Sequence, residues 1–213
     1  MKCLIVFIVL FLQALFASAQ EKTLLIDGFE DGLRPVWQEK VFKGRTAYGV
    51  VGDATGNVLR AQSYGAASAL ILEKKIDLKE FPVMSWRWKV ENILVKGDAR
   101  KKTGDDYAAR IYVIFPHWFF PKTRTINYIW ANKLPLGAMV PNPFTANAVM
   151  IAVETGEDHV GTWMLESRNV QADYRAVFGE EPPLVGAIAI MTDTDNTGGA
   201  AVAWYDDLRF LGE

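Results

Sequence analysis

Met84-Ser85-Trp86-Arg87-Trp88-Lys89-Val90 alternates apolar and polar residues without a fault. Successive side chains of an extended chain point to opposite faces, so Met84, Trp86, Trp88 and Val90 share one face and Ser85, Arg87 and Lys89 the other. A helix would scatter these residues around its circumference, whereas a half-buried strand sorts them. The two tryptophans suit either a large core or a platform on which a sugar ring stacks, and the core reading is preferred because a large sandwich needs large residues inside it.

Similar short runs follow one another along the chain. Residues 58–63, 107–115, 126–131, 149–154, 161–167, 184–192 and 200–210 read as strands, with weaker candidates near Leu24, Val41, Val50 and Ile71. Turn residues separate them at 31–32, 53–56, 92–97, 141–143 and 196–199. Many strands without regular helical crossovers predict an all-β fold, an antiparallel, jelly-roll-like β-sandwich. One short surface helix is expected where Asn169 can cap Val170, Tyr174 and Val177, with Gly179, Pro182 and Pro183 ending it. The proline-bearing stretch 135–143 reads as a long loop.

The start of the chain has a different character. Lys2 precedes an apolar run at 4–12, and Ala17-Ser18-Ala19 offers a small-x-small cleavage signal, so residues 1–19 read as a signal peptide and 20–213 as a single β-sandwich domain. The run is too short for a hydrocarbon core, which takes about 20 residues, so the mature chain is expected to carry no integral membrane segment. A periplasmic or secreted location follows. Cys3, the one cysteine, lies in the leader, which removes disulfides, thiolate metal sites and cysteine nucleophiles from consideration. The formal charge of −2 becomes one unit more negative when Lys2 leaves, and no dense basic patch points to nucleic acid.

The most polar strand is the one entered by Gly104-Asp105-Asp106-Tyr107-Ala108-Ala109-Arg110-Ile111-Tyr112-Val113-Ile114-Phe115. Tyr107, Ala109, Ile111, Val113 and Phe115 are expected on one face and Arg110 and Tyr112 on the other. A guanidinium beside a phenol, approached by two carboxylates, suits a polar ligand; the same groups can also satisfy one another. Arg87 and Lys89 would join this face if the two strands were neighbours. Arg168, near the helix, and Asp193 and Asp195, in Asp193-Thr194-Asp195-Asn196-Thr197-Gly198, complete the candidate ligand-binding set of Asp105, Asp106, Arg110, Tyr112, Arg168, Asp193 and Asp195. The Asp193 loop resembles half of an EF-hand, but Trp204 stands where its last acid belongs, so an Asx-stabilised turn is preferred to calcium there. A structural calcium at Glu30 and Asp207, where pairing of the terminal strands would gather them with Asp31 and Asp206, stands level with a plain surface carboxylate and a turn.

For catalysis the inventory is thin. With only His117 and His159, a hydrolase triad or a multi-histidine zinc site has little to be built from. Acid-base work would fall to tyrosine or to carboxylates, with Glu166 or Asp195 partnering Asp105 or Asp106. The aromatic run His117-Trp118-Phe119-Phe120-Pro121 is expected as core or as a lid.

Taken together, Trp86-Arg87-Trp88-Lys89, the run from Gly104 to Val113, Asn127-Tyr128-Ile129-Trp130, Arg168-Asn169-Val170, Asp173-Tyr174, Phe178-Gly179 and the run from Thr192 to Thr197 resemble the bacterial exported family catalogued as domain of unknown function 3047. The resemblance covers nearly all of the mature chain; it implies an envelope or secreted setting in Gram-negative bacteria and brings no established activity. More loosely, Phe29-Glu30-Asp31-Gly32 and Trp204-Tyr205-Asp206-Asp207 resemble carbohydrate-binding jelly rolls of the galactose-binding type, in which a structural calcium often sits between the terminal strands. The leading expectation is a module for a saccharide or another polar small ligand. The alternatives are a polysaccharide lyase or glycosidase and a structural envelope protein.

Overall fold

A computed structural model describes residues 22–212; the leader reading of residues 1–19 lies outside them. Two sheets face each other. The six-stranded sheet contains β1 (Lys22–Asp27), β3 (Ala47–Asp53), β4 (Gly56–Tyr64), β6 (Val83–Val90), β11 (Met164–Asn169) and β13 (Ala200–Gly212), in the order β11-β6-β13-β4-β3 with β1 also on β13. The seven-stranded sheet contains β2 (Gln38–Lys43), β5 (Ala67–Ile76), β7 (Arg110–Phe115), β8 (Arg124–Ala131), β9 (Met139–Asn142), β10 (Thr145–Thr155) and β12 (Val185–Met191), in the order β2-β5-β12-β7-β8-β10-β9. Among the described residues no helix is long and apolar enough to cross a membrane.

The alternation of residues 84–90 does what the sequence predicts. Trp86 and Trp88 are fully buried between the sheets, Trp86 against Tyr128 (centroids 5.2 Å) and Trp88 against Trp130 (6.0 Å), both from β8 of the opposite sheet. These four rings are core and not a ligand platform. From the seven-stranded sheet, Ile111, Val113 and Phe115 enter the same core beside Ile188 and Ile190. Burying aromatic side chains of this size contributes a large part of the hydrophobic stabilisation.

Three features depart from the reading of the sequence. Strands β8 and β10 pair in parallel, because the chain leaving β8 runs round to β9 before returning as β10 between them. Strand β9 falls in the stretch taken for a loop, and it holds Pro141 because it is an edge strand, where a missing N–H is tolerated. Strand β7 begins at Arg110, not at Tyr107: residues 105–109 are irregular, the Tyr107 carbonyl taken by the Asp193 N–H after β12, the Ala109 carbonyl by the Trp130 N–H of β8 and the Asp106 carbonyl by Asn132 Nδ2. The helix α1 (Val170–Phe178) stands as expected, with the Asn169 side chain accepting from the Ala172 N–H at 2.8 Å and Gly179 left-handed at φ 71°. Tyr174 anchors it on Phe115, their rings 4.6 Å apart.

Candidate functional site

The outer face of the seven-stranded sheet carries the site. Arg110 and Tyr112 point there because Ile111 and Val113 point inward, and the register sets Met191 of β12 beside Arg110 and Asn127 of β8 beside Tyr112. Tyr107 does not share the face of Ile111, as strict alternation would require. It packs with Ile129, Ala131 and Met150 on the outer side, because the chain is not yet a strand there.

Arg110 is 5% exposed and donates from Nη2 to Asp193 Oδ2 at 2.6 Å, while its Nη1 lies 3.9 Å from Asp105 Oδ1. Its guanidinium is 5.1 Å from the ring centres of both Tyr107 and Tyr112, a cation held between two phenols. Burial opposes its charge, and Asp193 first among its neighbours outweighs that and holds the guanidinium charged. Asp105 accepts from Tyr107 Oη at 3.1 Å and from Asn142 Nδ2 of β9 at 2.9 Å. Burial, then the neighbouring Asp106 and Asp105, push the Asp193 carboxyl upward against the pull of Arg110. Burial also raises the Tyr112 phenol, outweighing Arg110, so this phenol is a poor base at neutral pH.

The segment after β12 is laced to residues 105–109. Thr192 donates from Oγ1 to the Ala108 carbonyl at 2.8 Å, the Asp193 N–H reaches the Tyr107 carbonyl at 3.2 Å, and Thr194 shares a hydroxyl bond of 2.8 Å with Ser63. Asp106 is fully buried and faces the loop. Its carboxylate accepts the Thr197 N–H at 2.6 Å, the Asn196 N–H at 3.2 Å and Asn196 Nδ2 at 3.1 Å. Asp106 thereby holds the loop that presents Asp195.

The result is an open concavity of about 630 Å³, walled by Asp105, Arg110, Tyr112, Asn127, Asp193 and Asp195 and rimmed by the exposed Phe42 and Phe144. Two residues of its wall hold a buried polar atom without a partner among the described residues, Arg110 Nε and Asn127 Oδ1, and both atoms are closed off from solvent. Five of the seven candidate ligand residues line this concavity. Asp106 stands behind it as loop support.

Arg168 is not part of the constellation. It donates to both carboxylate oxygens of Asp173, at 3.0 and 2.5 Å, and Asp173 also accepts from Tyr128 Oη at 2.8 Å, an arrangement that ties α1 to both sheets. Arg87 and Lys89 also lie elsewhere, since β6 and β7 belong to different sheets. Arg87 donates from Nε to Asp206 at 2.9 Å, and Lys89 lies over the rings of Trp163 and Trp204 on the outer face of the six-stranded sheet. The aromatic run at 117–121 is neither core nor buried: Trp118 is 92% exposed at the tip of the β7–β8 connection, which Asn147 holds by donating to the Pro121 carbonyl at 2.7 Å.

The acids expected to bind calcium have other neighbours. The terminal strands β1 and β13 do pair, but Glu30 accepts from the Asn57 N–H at 3.1 Å and Asp207 lies 3.4 Å from Arg87. Among the described residues, the one group of three acids with oxygens mutually within 4.8 Å is Asp106, Asp193 and Asp195. Oxygen donors of that kind suit calcium. Here, however, the guanidinium of Arg110 and the N–H groups of the loop already take part of their capacity.

Glu166 is remote from Asp105 and Asp106 and cannot partner them. It sits on β11, accepts from Trp88 Nε1 at 3.2 Å, and is raised to about 7 by burial first and by Glu154 second; Glu154 in turn holds His159 Nδ1 at 3.0 Å. Because the folded protein holds this proton more tightly than the unfolded chain, the stability contribution falls as pH rises from the ordinary carboxylate range through about 7. Glu166→Gln keeps an acceptor for Trp88. It should raise Tm at pH 8 by about 2–4 °C, the shift that roughly 1 kcal/mol makes in a domain of this size, and leave it unchanged near pH 4. Thermal unfolding at the two pH values checks this, and an equal shift at both would refute it.

Residues 35–209 match the family described as protein of unknown function (DUF3047). The chain belongs to that family. No curated protein sequence matches it significantly. Solved structures similar to it include the family 30 carbohydrate-binding module of the cellulosomal cellulase Cel9D-Cel44B of Clostridium thermocellum, at 11% identity and TM-score 0.53, covering 89% of this chain and 98% of that one. A carbohydrate-binding module of the β-sandwich superfamily aligns at 13% identity and TM-score 0.48 over 86% of this chain and 60% of its own. The K3 cleaved adhesin domain of Lys-gingipain from Porphyromonas gingivalis W83 aligns at 11% identity and TM-score 0.46, covering 90% and 100%. At such identities the likeness is one of fold, a β-sandwich.

Asn127, Asn142, Phe42 and Phe144 are site residues that the reading of the sequence passed over. Asn127 had a signal: Tyr128 and Trp130 face the core, which sends Asn127 outward beside Tyr112. Asn142 had none, since it stands between two prolines.

Proposed function

We propose that this is an exported module that binds a saccharide on the outer concave face of its seven-stranded sheet. One observation carries the reading: the polar side chains of Asp105, Arg110, Asn127, Asn142 and Asp195 converge with the ring of Tyr112 on one open concavity. A sugar hydroxyl both donates and accepts, so a saccharide suits a wall that mixes amides, carboxylates and a guanidinium. The half-buried Tyr112 and the rim rings of Phe42 and Phe144 offer flat apolar surface to the faces of pyranose rings. A volume of about 630 Å³ is of the size that small ligands fill. Likeness of fold to a family 30 carbohydrate-binding module supports the reading, as does the expected leader.

Two features weigh against the lyase or glycosidase alternative at this place. Arg110 is engaged by Asp193, and the Tyr112 phenol is held protonated.

A glycan array followed by calorimetry on the best hit tests the reading. Tyr112→Ala and Asn127→Ala should each weaken binding at least tenfold, about 1.4 kcal/mol. Asn127→Ala also deletes a buried side chain whose Nδ2 donates to Met150 Sδ at 3.1 Å, so Tm is followed beside affinity to separate lost binding from lost packing. Unchanged affinity in both variants would move the site elsewhere, and an array with no hit would refute saccharide binding.

A further inference from the structure

We infer that the aromatic rim beside the concavity docks on an anionic phospholipid bilayer, with the rings of Trp118 and Phe120 entering the headgroup layer. The inference does not rest on the saccharide-binding reading.

Among the described residues, five of the six exposed aromatic side chains fall on one stretch of surface: Phe42, Trp118, Phe119, Phe120 and Phe144. Contacts join them. Lys40 Nζ lies 5.4 Å from the ring centre of Phe42 and 5.9 Å from that of Phe120, while Asn147, three residues past Phe144, holds the Pro121 carbonyl at 2.7 Å. The tip of the β7–β8 connection is thus tied to β2 on one side and to β10 on the other. Trp118 at 92% and Phe120 at 75% are far more exposed than isolated turns require, and clustered apolar surface of this kind marks an interaction site.

The polar groups of the tip say what kind of partner fits. Its backbone is largely closed on itself: the His117 N–H donates to Thr123 Oγ1 at 3.2 Å, the Phe119 N–H to His117 Nδ1 at 3.0 Å, and the N–H groups of Lys122 and Thr123 to the carbonyls of Phe119 and Phe120 at 2.9 Å. Pro121 has no N–H to satisfy. A sugar or a protein strand is held through hydrogen bonds, of which this turn keeps few to offer. A lipid interface demands none and penalises those left open. Tryptophan and phenylalanine rings also partition well into the headgroup region.

Charge then selects the lipid. Lys40 lies over Phe42 and Phe120, Lys102 Nζ is 5.3 Å from the ring centre of Phe144, and Lys122 sits in the turn itself. Three acids beside the rim carry cations of their own, Glu39 with Arg45, Glu180 with Arg124 and Glu181 with Arg175; Glu73, which shares a groove with Lys40, is the exception. Lysines placed around aromatic rings lay their apolar stems along them and keep the ammonium at headgroup level, where anionic lipids attract it.

The test uses the chain from Gln20 onward, which contains every described residue and lacks the apolar run at 4–12. It should sediment with vesicles of phosphatidylglycerol and phosphatidylethanolamine in equal parts, and about tenfold less with phosphatidylcholine vesicles, the difference closing as salt is raised. Trp118→Ala combined with Phe120→Ala should weaken partitioning about tenfold and leave Tm unchanged, because side chains this exposed leave no cavity. Lys40→Glu with Lys122→Glu should abolish the preference for anionic vesicles. Bromine-labelled lipid should quench the tryptophan fluorescence of the parent but not that of Trp118→Phe, which keeps a ring at the interface. Absence of sedimentation with either vesicle, or sedimentation unchanged in the double alanine variant, would overturn the inference while leaving a glycan-array hit untouched. Two other results would also overturn it in the absence of vesicle binding. Self-association lost in the double alanine variant would make the rim an interface between copies, and a glycan-array hit lost in that variant would make it a sugar contact.

Discussion

Arg110→Met is expected to lower Tm by roughly 10 °C at pH 8. The substitution leaves Asp193 1% exposed, next to Asp106 and Asp105, without the guanidinium that compensates it. Stranding one partner of a buried pair costs about 3–5 kcal/mol, and each kcal/mol is worth about 2–4 °C in a domain of this size. The sign of the pH dependence follows. Asp193 is already raised in the folded state, and losing Arg110 raises it further, so the folded variant holds a proton that the unfolded chain releases. Its stability therefore falls as pH rises through the folded value, and the deficit should be smaller at pH 5 than at pH 8. Replacing both partners, Arg110→Met with Asp193→Leu, should recover most of the loss, since an apolar pair of similar volume removes the stranded charge. Thermal unfolding of the single and double variants decides it. A single variant within 3 °C of the parent at both pH values would contradict the account of the pair.

Asp106→Ala should have the second largest effect, lowering Tm by about 6 °C and weakening saccharide binding more than tenfold. Asp106 touches no ligand in this account. It accepts three N–H groups from Asn196 and Thr197, and hydrogen bonds to a charged acceptor contribute about 1.5–3 kcal/mol. Without it the 193–199 loop loses its anchor and Asp195 its position. Hydrogen exchange should show faster exchange at residues 195–198 with little change in β7 and β8. Asp106→Asn, which keeps one accepting oxygen, should restore part of both effects. Exchange that accelerates equally across both sheets would instead mark Asp106 as a support of the whole fold.

Much of the architecture can be read from side-chain alternation. Trp86 and Trp88 enter the core and Arg110 and Tyr112 leave it because period two is a local property of any strand. What cannot be read locally is which strands become neighbours. Arg87 and Arg110 are separated by one connection, yet that connection passes from one sheet to the other, so two equally polar strand faces end on opposite outsides of the sandwich. Arg168 misleads for a related reason: its partner Asp173 is close in sequence, but the pair is fixed by Tyr128, a tertiary neighbour. Proline hides β9, and with it Asn142. The hydroxyls of Thr192 and Thr194 are engaged in joining segments rather than in facing a ligand, which the spacing of Asp193 and Asp195 alone does not reveal.

The central claim is that ligand binds the outer face of the seven-stranded sheet. The other outer face is the natural rival, since Trp163 and Trp204 flank Lys89 there. Titrating isotopically labelled protein with the best saccharide from the array, and mapping the amide and side-chain shifts, tests the claim most directly. The account predicts that the largest shifts fall on Arg110, Tyr112, Asn127, Asn142, Asp195 and Asn196; shifts concentrated on Lys89, Trp163 and Trp204 would contradict it.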